Sequence, residues 1–195
     1  MDSPAPKRSP WPLLAVGLLA CAALPASACA PPNRAEAAPA GEQLPPYGPD
    51  AAALFDDSIA PQIFGATLTG TNAASDPALP RWTEQAESVL PVKISTISSD
   101  SVGDNPAYTL ELQPVGAPLA GRSPAQSIDI EITPTNPSYA FVHSADSTLV
   151  GKEFILFFRR YSEQGRTTLH WRAEADTAGL RAAIERARLV GGFGR

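Results

Sequence analysis

Phe154-Ile155-Leu156-Phe157-Phe158 is the stretch that decides the fold, because it is apolar on both faces of any strand it forms. Arg159 and Arg160 end the run. A short, continuous apolar segment of this length is typical of a strand in the middle of a sheet. The sequence therefore predicts a central strand that is covered on both sides.

The segments around this strand alternate apolar and polar residues, which predicts strands with one buried and one wet face. The alternating segments are Val92 to Thr96, Tyr108 to Gln113, Ile128 to Thr133 and Leu169 to Ala173. Ile97 falls out of phase with the first of them, as at a β-bulge. In the last segment His170 alternates with Leu169 and Trp171, so we expect it on the solvent side.

A helix is predicted at the end of the chain, beginning after Asp176 or Thr177 and ending at Gly191-Gly192. An apolar stripe along it would cover the central strand. The order of elements predicts a mainly β, α+β domain: a small antiparallel Greek-key, OB-like barrel or sheet with a C-terminal covering helix. A plain α+β sheet and a β-sandwich are the alternatives.

The first residues have the three parts of an export signal. Lys7 and Arg8 form a basic start, Trp11 to Leu24 is mainly apolar, and small residues precede Cys29. We therefore predict a signal peptide over residues 1–28 and a mature protein that works outside the cytoplasm.

Ala26-Ser27-Ala28-Cys29 resembles the lipobox of bacterial exported lipoproteins, in which cleavage precedes a cysteine that is then acylated. The resemblance implies a lipid anchor on Cys29. Leu18-Leu19-Ala20-Cys21 offers Cys21 as an alternative anchor. Plain secretion, with cleavage after Ala28, Ala30 or Ala37, is the other alternative.

Both cysteines of the chain lie in this leader region. Beyond Cys29, disulfides, cysteine nucleophiles, thiolate zinc sites and iron–sulfur clusters are thus excluded together. Residues 29–49 are rich in proline and alanine and are predicted to be a semi-rigid tether. Residues 50–195 are long enough for one β-rich domain with its own core.

The strands also resemble the netrin-like version of the OB-type barrel over residues 86–173. The matching segments are Val89 to Ser98, Ala107 to Val115, and Val150 to Phe157. The resemblance implies a barrel-like fold. It does not carry over the inhibitory mechanism of the animal members, which depends on an N-terminal cysteine held by disulfides.

The motifs of common enzymes are missing from the sequence: no Gly-x-Ser-x-Gly, no His-Glu-x-x-His, no phosphate-binding glycine loop and no dinucleotide fingerprint. We assign no catalytic residue, no metal ligand and no cofactor. His143 lies near Ser138, Ser144 and Asp146, which have the residue types of a triad, but serine and aspartate are typical of any loop.

Two acidic groups have oxygen ligands that suit calcium, Asp56 with Asp57, and Asp100 with Asp104 and Asn105. Neither has the spacing of an EF-hand loop. Turn formation explains both groups.

The connection from Pro134 to Leu149 carries Tyr139, Phe141 and His143 at alternating positions. As an outward loop it would be a recognition surface, because aromatic side chains supply contact area at low entropic cost. As a short strand it would instead bury its aromatic face. Arg159 and Arg160 add a basic part to this candidate binding surface.

Charge is unevenly distributed along the chain. Residues 152–195 carry nine Lys or Arg against five Asp or Glu, whereas residues 30–151 carry four against fourteen. The arginines of the C-terminal part either face anionic lipid or cell-wall polymer, or pair with acidic residues of the same domain. A net charge of −5 and an export leader argue against nucleic acid as a partner.

These observations favour a lipid-anchored cell-envelope protein with a non-catalytic domain that binds an envelope protein or polymer. Its location would be the outer membrane or the cell surface, with the periplasm or the medium as alternatives. The competing hypothesis is a secreted periplasmic enzyme or enzyme inhibitor with a site in residues 134–149.

Overall fold

The computed structural model describes residues 43–66, 72–100, 105–124 and 126–192. The helices are α1 (Pro49–Ala52), α2 (Leu79–Gln85), α3 (Tyr139–Leu149) and α4 (Ala178–Gly192), with 3₁₀ turns at Pro61–Phe64 and Ala73–Ser75. The strands are β1 (Ser58–Ile59), β2 (Ser88–Ser99), β3 (Tyr108–Pro114), β4 (Ala120–Gly121), β5 (Ile128–Ile132), β6 (Glu153–Glu163) and β7 (Arg166–Ala175). None of the helices in these ranges is both long enough and apolar enough to cross a bilayer.

The strands form one mixed sheet in the order β1-β7-β6-β2-β3-β5, with β4 pairing beside β3 on β2. Among the pairings between the named strands, β1–β7 is parallel and the others are antiparallel. The sheet is curled and open, a half-barrel, which confirms the predicted mainly β, barrel-like α+β fold with a C-terminal helix. The five predicted strands are present, and the two-residue strands β1 and β4 are additions.

The middle of the sheet is buried on both faces. Every side chain of Phe154–Phe158 in β6 is buried. Phe154, Leu156 and Phe158 face a core on the side of α3, and Ile155 and Phe157 face a second core on the side of α2 and α4. The prediction of a central, doubly covered strand is confirmed, and we refer to the two cores as the α3-side core and the α4-side core.

The outer strands β3 and β5 are buried on one face only. Their isoleucine, leucine and tyrosine side chains belong to the α3-side core, while Thr109, Asp129 and Glu131 are exposed. In β2 the pairing with β3 shifts between Ile94 and Thr96, which is the predicted bulge. The bulge changes the phase of β2 and lets Ile97 pack against the same core.

The helices differ from prediction in their caps and ion pairs. We expect Asp50 to cap a helix that begins after it, but α1 begins at Pro49 and its N-cap, Gly48, makes no side-chain hydrogen bond. At α4, the Thr177 Oγ1 accepts a hydrogen bond from Leu180 N at 3.1 Å, so threonine is the cap. Arg181 pairs with Asp176, which precedes the helix, and not with Glu185 one turn further.

A buried ion pair joins β7 to the α4-side core. The Arg172 Nε donates to Glu174 Oε1 at 2.7 Å, and the guanidinium carbon lies 4.4 Å from the centre of the Trp82 ring. Glu174 is only 6% exposed, and this burial raises the pKa of its carboxyl above 4.5 while Arg172 lowers it. The carboxylate therefore depends on arginine for its stability in the core.

Loss of Arg172 should destabilise the fold in a pH-dependent way. Arg172→Met leaves the Glu174 carboxylate buried without its partner, which should lower the free energy of unfolding by about 3–5 kcal/mol at pH 7. A buried carboxyl with a raised pKa destabilises the fold only when it is ionised, so the loss should be smaller at pH 4.5 than at pH 7. Urea denaturation at both pH values measures this difference.

The control is the double variant Arg172→Met with Glu174→Met, which removes both charges and fills the space with apolar side chains. Its stability should return close to the wild-type value. A double variant as unstable as Arg172→Met alone would contradict the assignment of the penalty to an unpaired carboxylate.

Gly121 is required by a close approach between β4 and β2. Its φ is +76°, and a Cβ at this position would overlap the Glu87 carbonyl oxygen and lie 2.8 Å from Ser88 Cα. Gly165, in the β6–β7 turn, has the same φ of +76° but has no atom within 4 Å of such a Cβ. Substitutions at these two glycines therefore distinguish the cost of backbone strain, which both share, from the cost of steric overlap, which only Gly121 has.

Gly165→Ala should lower the free energy of unfolding by about 1–2 kcal/mol, the cost of a left-handed conformation with a Cβ. Gly121→Ala should lose that amount and a further ~1–3 kcal/mol, because the backbone of β2 must move. Chemical denaturation of the two variants tests this, and equal losses would show that the overlap is relieved without cost.

Candidate functional site

The end of the sheet at the β6–β7 turn gathers aromatic and ionisable side chains, which we call the Tyr47–His170 cluster. Its members are Tyr47, Asp57, Tyr161, Glu163 and His170. β6 and β7 pair as one long hairpin whose register places Arg159 opposite His170. The cluster joins this hairpin to the N-terminal part of the described chain.

His170 is held between two carboxylates. Its Nδ1 lies 2.9 Å from Asp57 Oδ2, and its Nε2 lies 3.7 Å from Glu163 Oε2. Because an ionised carboxylate only accepts hydrogen bonds, Nδ1 carries the proton that it donates to Asp57. Nε2 is buried and has no hydrogen-bond partner among the described residues. The expectation that His170 faces solvent is wrong, since its side chain is only 12% exposed.

Hydrogen bonds to Trp171, Asn136 and His170 hold Asp57 in position. Its φ of 55° is left-handed, a conformation that aspartate tolerates better than most residues. Its Oδ1 accepts from Trp171 N at 2.9 Å, and its own N–H donates to the Trp171 carbonyl at 2.8 Å. The Asn136 side chain donates to its carbonyl oxygen at 2.9 Å. The carboxylate is thus fixed by strand β7 before it meets His170.

Tyr47 covers His170 on the side of the N-terminal segment. The two rings stack with centroids 3.5 Å apart and planes 3° from parallel. The Tyr47 hydroxyl donates to the Phe55 carbonyl at 2.8 Å, and Tyr47 N donates to the Ser162 carbonyl. Burial and the nearby carboxylates raise the pKa of Tyr47 to about 12, so its hydroxyl stays a donor at neutral pH.

A polar cleft of about 480 Å³ opens beside this cluster. It is lined by Gln43–Pro45, Glu84–Glu87, Arg159 and Arg160. Arg160 forms a two-point pair with Glu87, with its Nε 3.0 Å from Oε2. Arg159 donates to the Gln85 carbonyl at 3.0 Å and lies over the Tyr161 ring. Both arginines of the predicted binding surface are therefore half-buried and engaged within the domain.

The predicted recognition segment 134–149 is neither a loop nor a strand, because Tyr139–Leu149 forms helix α3. Val142 and Leu149 are fully buried, and Ala145 packs beside them on the same core. This spacing of three, four and seven residues is helical, and burial of the resulting stripe outweighs the alternation seen in the sequence.

The aromatic residues of α3 are divided between core and surface. His143 is exposed, with its Nδ1 2.6 Å from the Tyr108 hydroxyl and its ring stacked on Tyr139. Tyr139 is partly buried, and its hydroxyl has no hydrogen-bond partner among the described residues. Phe141 is 41% exposed and stacks on Phe64 at 5.4 Å. Phe141 and His143 thus form the accessible part of the predicted surface.

The residue types of a triad near His143 are not assembled as one. The Ser138 Oγ accepts a hydrogen bond from Ile59 N at 2.7 Å, and the Ser144 Oγ donates to the Phe141 carbonyl at 3.0 Å. The side chain of Asp146 lies outside the described residues. The Ser138 hydroxyl therefore joins the start of α3 to β1, and the Ser144 hydroxyl bonds back to the preceding turn of its own helix.

No family model matches the chain, and no curated protein matches it either. Function therefore has to be argued from the geometry and from the sequence signals.

The acidic groups considered for calcium have other roles or lie outside the described residues. Asp56 accepts from Ser58 at 2.6 Å and pairs with Arg172, and Asp57 holds His170. Asp104 is not among the described residues. Across the described ranges, no group of three or more histidine, cysteine or acidic side chains has a metal-binding arrangement.

Sequence reasoning missed the Tyr47–His170 cluster. Asp57 and His170 are 113 residues apart, and neither lies in a motif. The sequence shows only that His170 lies between the apolar residues Leu169 and Trp171 on a predicted strand. That pattern predicts a solvent-facing side chain and gives no indication of its partner. Its partner becomes visible only when the parallel pairing of β1 with β7 brings Asp57 to Trp171.

The raised pKa of Tyr47 gives a test of the cluster. Its stabilising contribution is complete below its unfolded pKa of 10.0 and is lost as pH rises toward about 12. Tyr47→Phe removes the hydrogen bond to Phe55, so at pH 9 it should be less stable than wild type by about 0.5–1.5 kcal/mol. Between pH 10 and 12 this gap should shrink. Urea midpoints across this range measure it, and a constant gap would contradict the buried, donating hydroxyl.

Proposed function

We propose that the protein is exported, anchored to a membrane through a lipid on Cys29, and acts as a non-catalytic interaction domain of the cell envelope. The leader over residues 1–28 and the small residues before Cys29 support export and acylation. The absence of any cysteine after Cys29 in the sequence supports a domain whose stability comes from its cores alone.

The N-terminal junction of the domain suits a tethered protein. Pro46 pairs with Ser162 in a parallel bridge, and Ser162 N donates to the Pro45 carbonyl at 2.9 Å. The sheet therefore binds the chain at Pro45 and Pro46, inside the segment predicted as the tether (residues 29–49). From Cys29 to Pro45, such a segment reaches at most about 50 Å when fully extended, which keeps the domain close to the membrane that carries it.

The observation that carries the non-catalytic part of the proposal is the use of both histidines in packing. Each histidine commits its Nδ1 to a neighbouring side chain, Asp57 for His170 and Tyr108 for His143. The Nε2 of His170 faces a carboxylate and not a hydroxyl nucleophile. Since a histidine bonded at Nδ1 can still act as a base through Nε2, the deciding observation is that His170 Nε2 is buried, 3.7 Å from Glu163 and without a hydroxyl partner among the described residues, which favours a structural His170.

The surface we assign to an envelope partner, protein or polymer, is the exposed aromatic part of α3. Phe141 and His143 are accessible, and both rest on partly buried or buried rings that hold them in place. Rigid aromatic side chains on a packed helix provide contact area without much loss of entropy on binding. Tyr139 supports this surface through its ring contact with His143, and Arg159 and Arg160 line the cleft, where both are engaged within the domain.

Intact mass spectrometry of the protein from bacterial membranes tests the anchor. We expect a chain that begins at Cys29 and carries acyl groups, and we expect Cys21→Ala to leave this mass unchanged. Cys29→Ala should lose the acyl mass, because the acceptor sulfur is gone. A soluble, unmodified chain beginning at Cys29, Pro31 or Ala38 would overturn the anchor and leave a secreted domain.

A further inference from the structure

The last two turns of α4 combine exposed basic and exposed apolar side chains. Arg186 and Arg188 are exposed, and Leu189 and Val190 are 54% and 76% exposed. Positions three and four apart are neighbours on a helix, so Arg186 lies beside both apolar residues. No acidic residue follows Glu185 in this helix.

These apolar residues have no role in the packing of the domain. The stripe of α4 that belongs to the α4-side core consists of Leu180, Ala183 and Ile184, and Leu189 and Val190 are not part of either core. Basic residues near the C-terminus of a helix are explained by the helix dipole, but two exposed branched apolar residues beside them are not. Arginine next to exposed aliphatic side chains is typical of helices that lie on a membrane surface.

The position of this surface relative to the start of the domain supports a membrane partner. The Arg188 Nη1 donates to the Leu119 carbonyl, and Leu119 N donates to the Val89 carbonyl at 2.7 Å. Val89 lies in β2 two residues after Glu87, which immediately precedes the strand and lines the polar cleft together with Gln43–Pro45. The basic end of α4 is therefore at the same end of the sheet as the residues that connect to the tether.

Three acidic residues, Glu111, Asp129 and Glu131, form a patch on the outer strands, while Glu84 and Glu87 line the cleft and Glu185 lies on α4 itself. Glu111 on β3 is directly opposite Asp129 on β5, and Glu131 is two residues further along β5. These strands lie beyond β2, whereas α4 covers β6 and the start of β2. Burial and the neighbouring Glu111 raise the pKa of Asp129, which shows how closely the carboxylates are placed. An anionic surface would attract one side of the domain and repel the other.

We propose that the C-terminal end of α4, with Arg186, Arg188, Leu189 and Val190, docks the domain on the anionic surface of the bilayer that holds its anchor. This inference rests on the proposed lipid on Cys29. The anchor keeps the surface at a high effective concentration, so a weak contact is enough to hold the domain against the membrane.

The test uses the full-length, acylated protein with Leu189→Cys. When Cys29 is acylated and the leader is removed, this cysteine is the only free thiol, and a polarity-sensitive fluorophore can be attached to it. The labelled protein is reconstituted into vesicles of phosphatidylcholine alone or of phosphatidylcholine with phosphatidylglycerol. We expect a blue-shifted emission and protection from acrylamide only with the anionic lipid. Thr109→Cys, exposed on β3, should stay accessible to acrylamide in both vesicles.

A matched pair of charge variants shows whether the arginines drive docking. Arg186→Gln with Arg188→Gln should lower the docking equilibrium about 30-fold, since each arginine near an anionic surface contributes about a factor of five. Lys152→Gln with Arg166→Gln removes the same charge from two exposed positions outside α4 and should leave the protection unchanged.

Three results would overturn the proposal while leaving the anchor intact. The first is a label at position 189 that is equally accessible in both vesicles. The second is equal protection in both, unaffected by the arginine variants. The third is protection in detergent without vesicles, which would mean that α4 contacts a second copy of the chain.

A mass without acyl groups would instead refute the anchor. Co-sedimentation of the unmodified protein with phosphatidylglycerol vesicles would then test the α4 surface alone. Binding that the Arg186→Gln and Arg188→Gln double variant abolishes would support docking, and no binding would overturn it.

Discussion

The whole structure depends on one strand being apolar on both faces. Because the side chains of β6 alternate between two cores, the strand can be stable only if both faces of the sheet are covered. This requirement places α3 on one side and α2 with α4 on the other. It also leaves the outer strands β3 and β5 free to keep one face in water. The sheet is therefore covered on both faces at its centre and on one face at β3 and β5.

The N-terminal connection is built on the end of the same strand. Beyond Phe158, β6 still pairs with β7 on one edge but no longer pairs with β2 on the other. Pro45 to Tyr47 bind to that second edge at Ser162. Tyr47 then stacks on His170, whose orientation is fixed by Asp57. A single chain of contacts thus runs from the proline-rich segment through an aromatic pair and a carboxylate to the backbone of β7. The histidine, which looked like a surface residue in the sequence, is the centre of that connection.

Sequence reasoning reached as far as local periodicity allows. The strands and the bulge at Ser95 are readable because burial alternates along them, and β6 is readable because it does not alternate. Local periodicity does not predict helix α3, because Tyr139, Phe141 and His143 fit a period of two. The helical stripe becomes apparent only from the burial of Val142 and Leu149. The Asp57–His170 and Arg160–Glu87 pairs join residues 113 and 73 positions apart, and no local pattern encodes such partners. The proposed leader and its cysteine, by contrast, rest on the sequence alone, because signal peptides are recognised as linear segments.

The half-barrel leaves strand β5 as an open edge, and this has a consequence for solubility. An edge strand presents free backbone groups that can pair with another chain, and charged side chains on it are a common defence. In β5 that defence consists of Asp129 and Glu131 alone. Because burial and the neighbouring Glu111 raise the pKa of Asp129, this residue loses its charge at a higher pH than an ordinary aspartate, which weakens the charge protecting the edge in acid. The same crowding of carboxylates that gives β3 and β5 their acidic patch therefore makes the protection of this edge sensitive to pH.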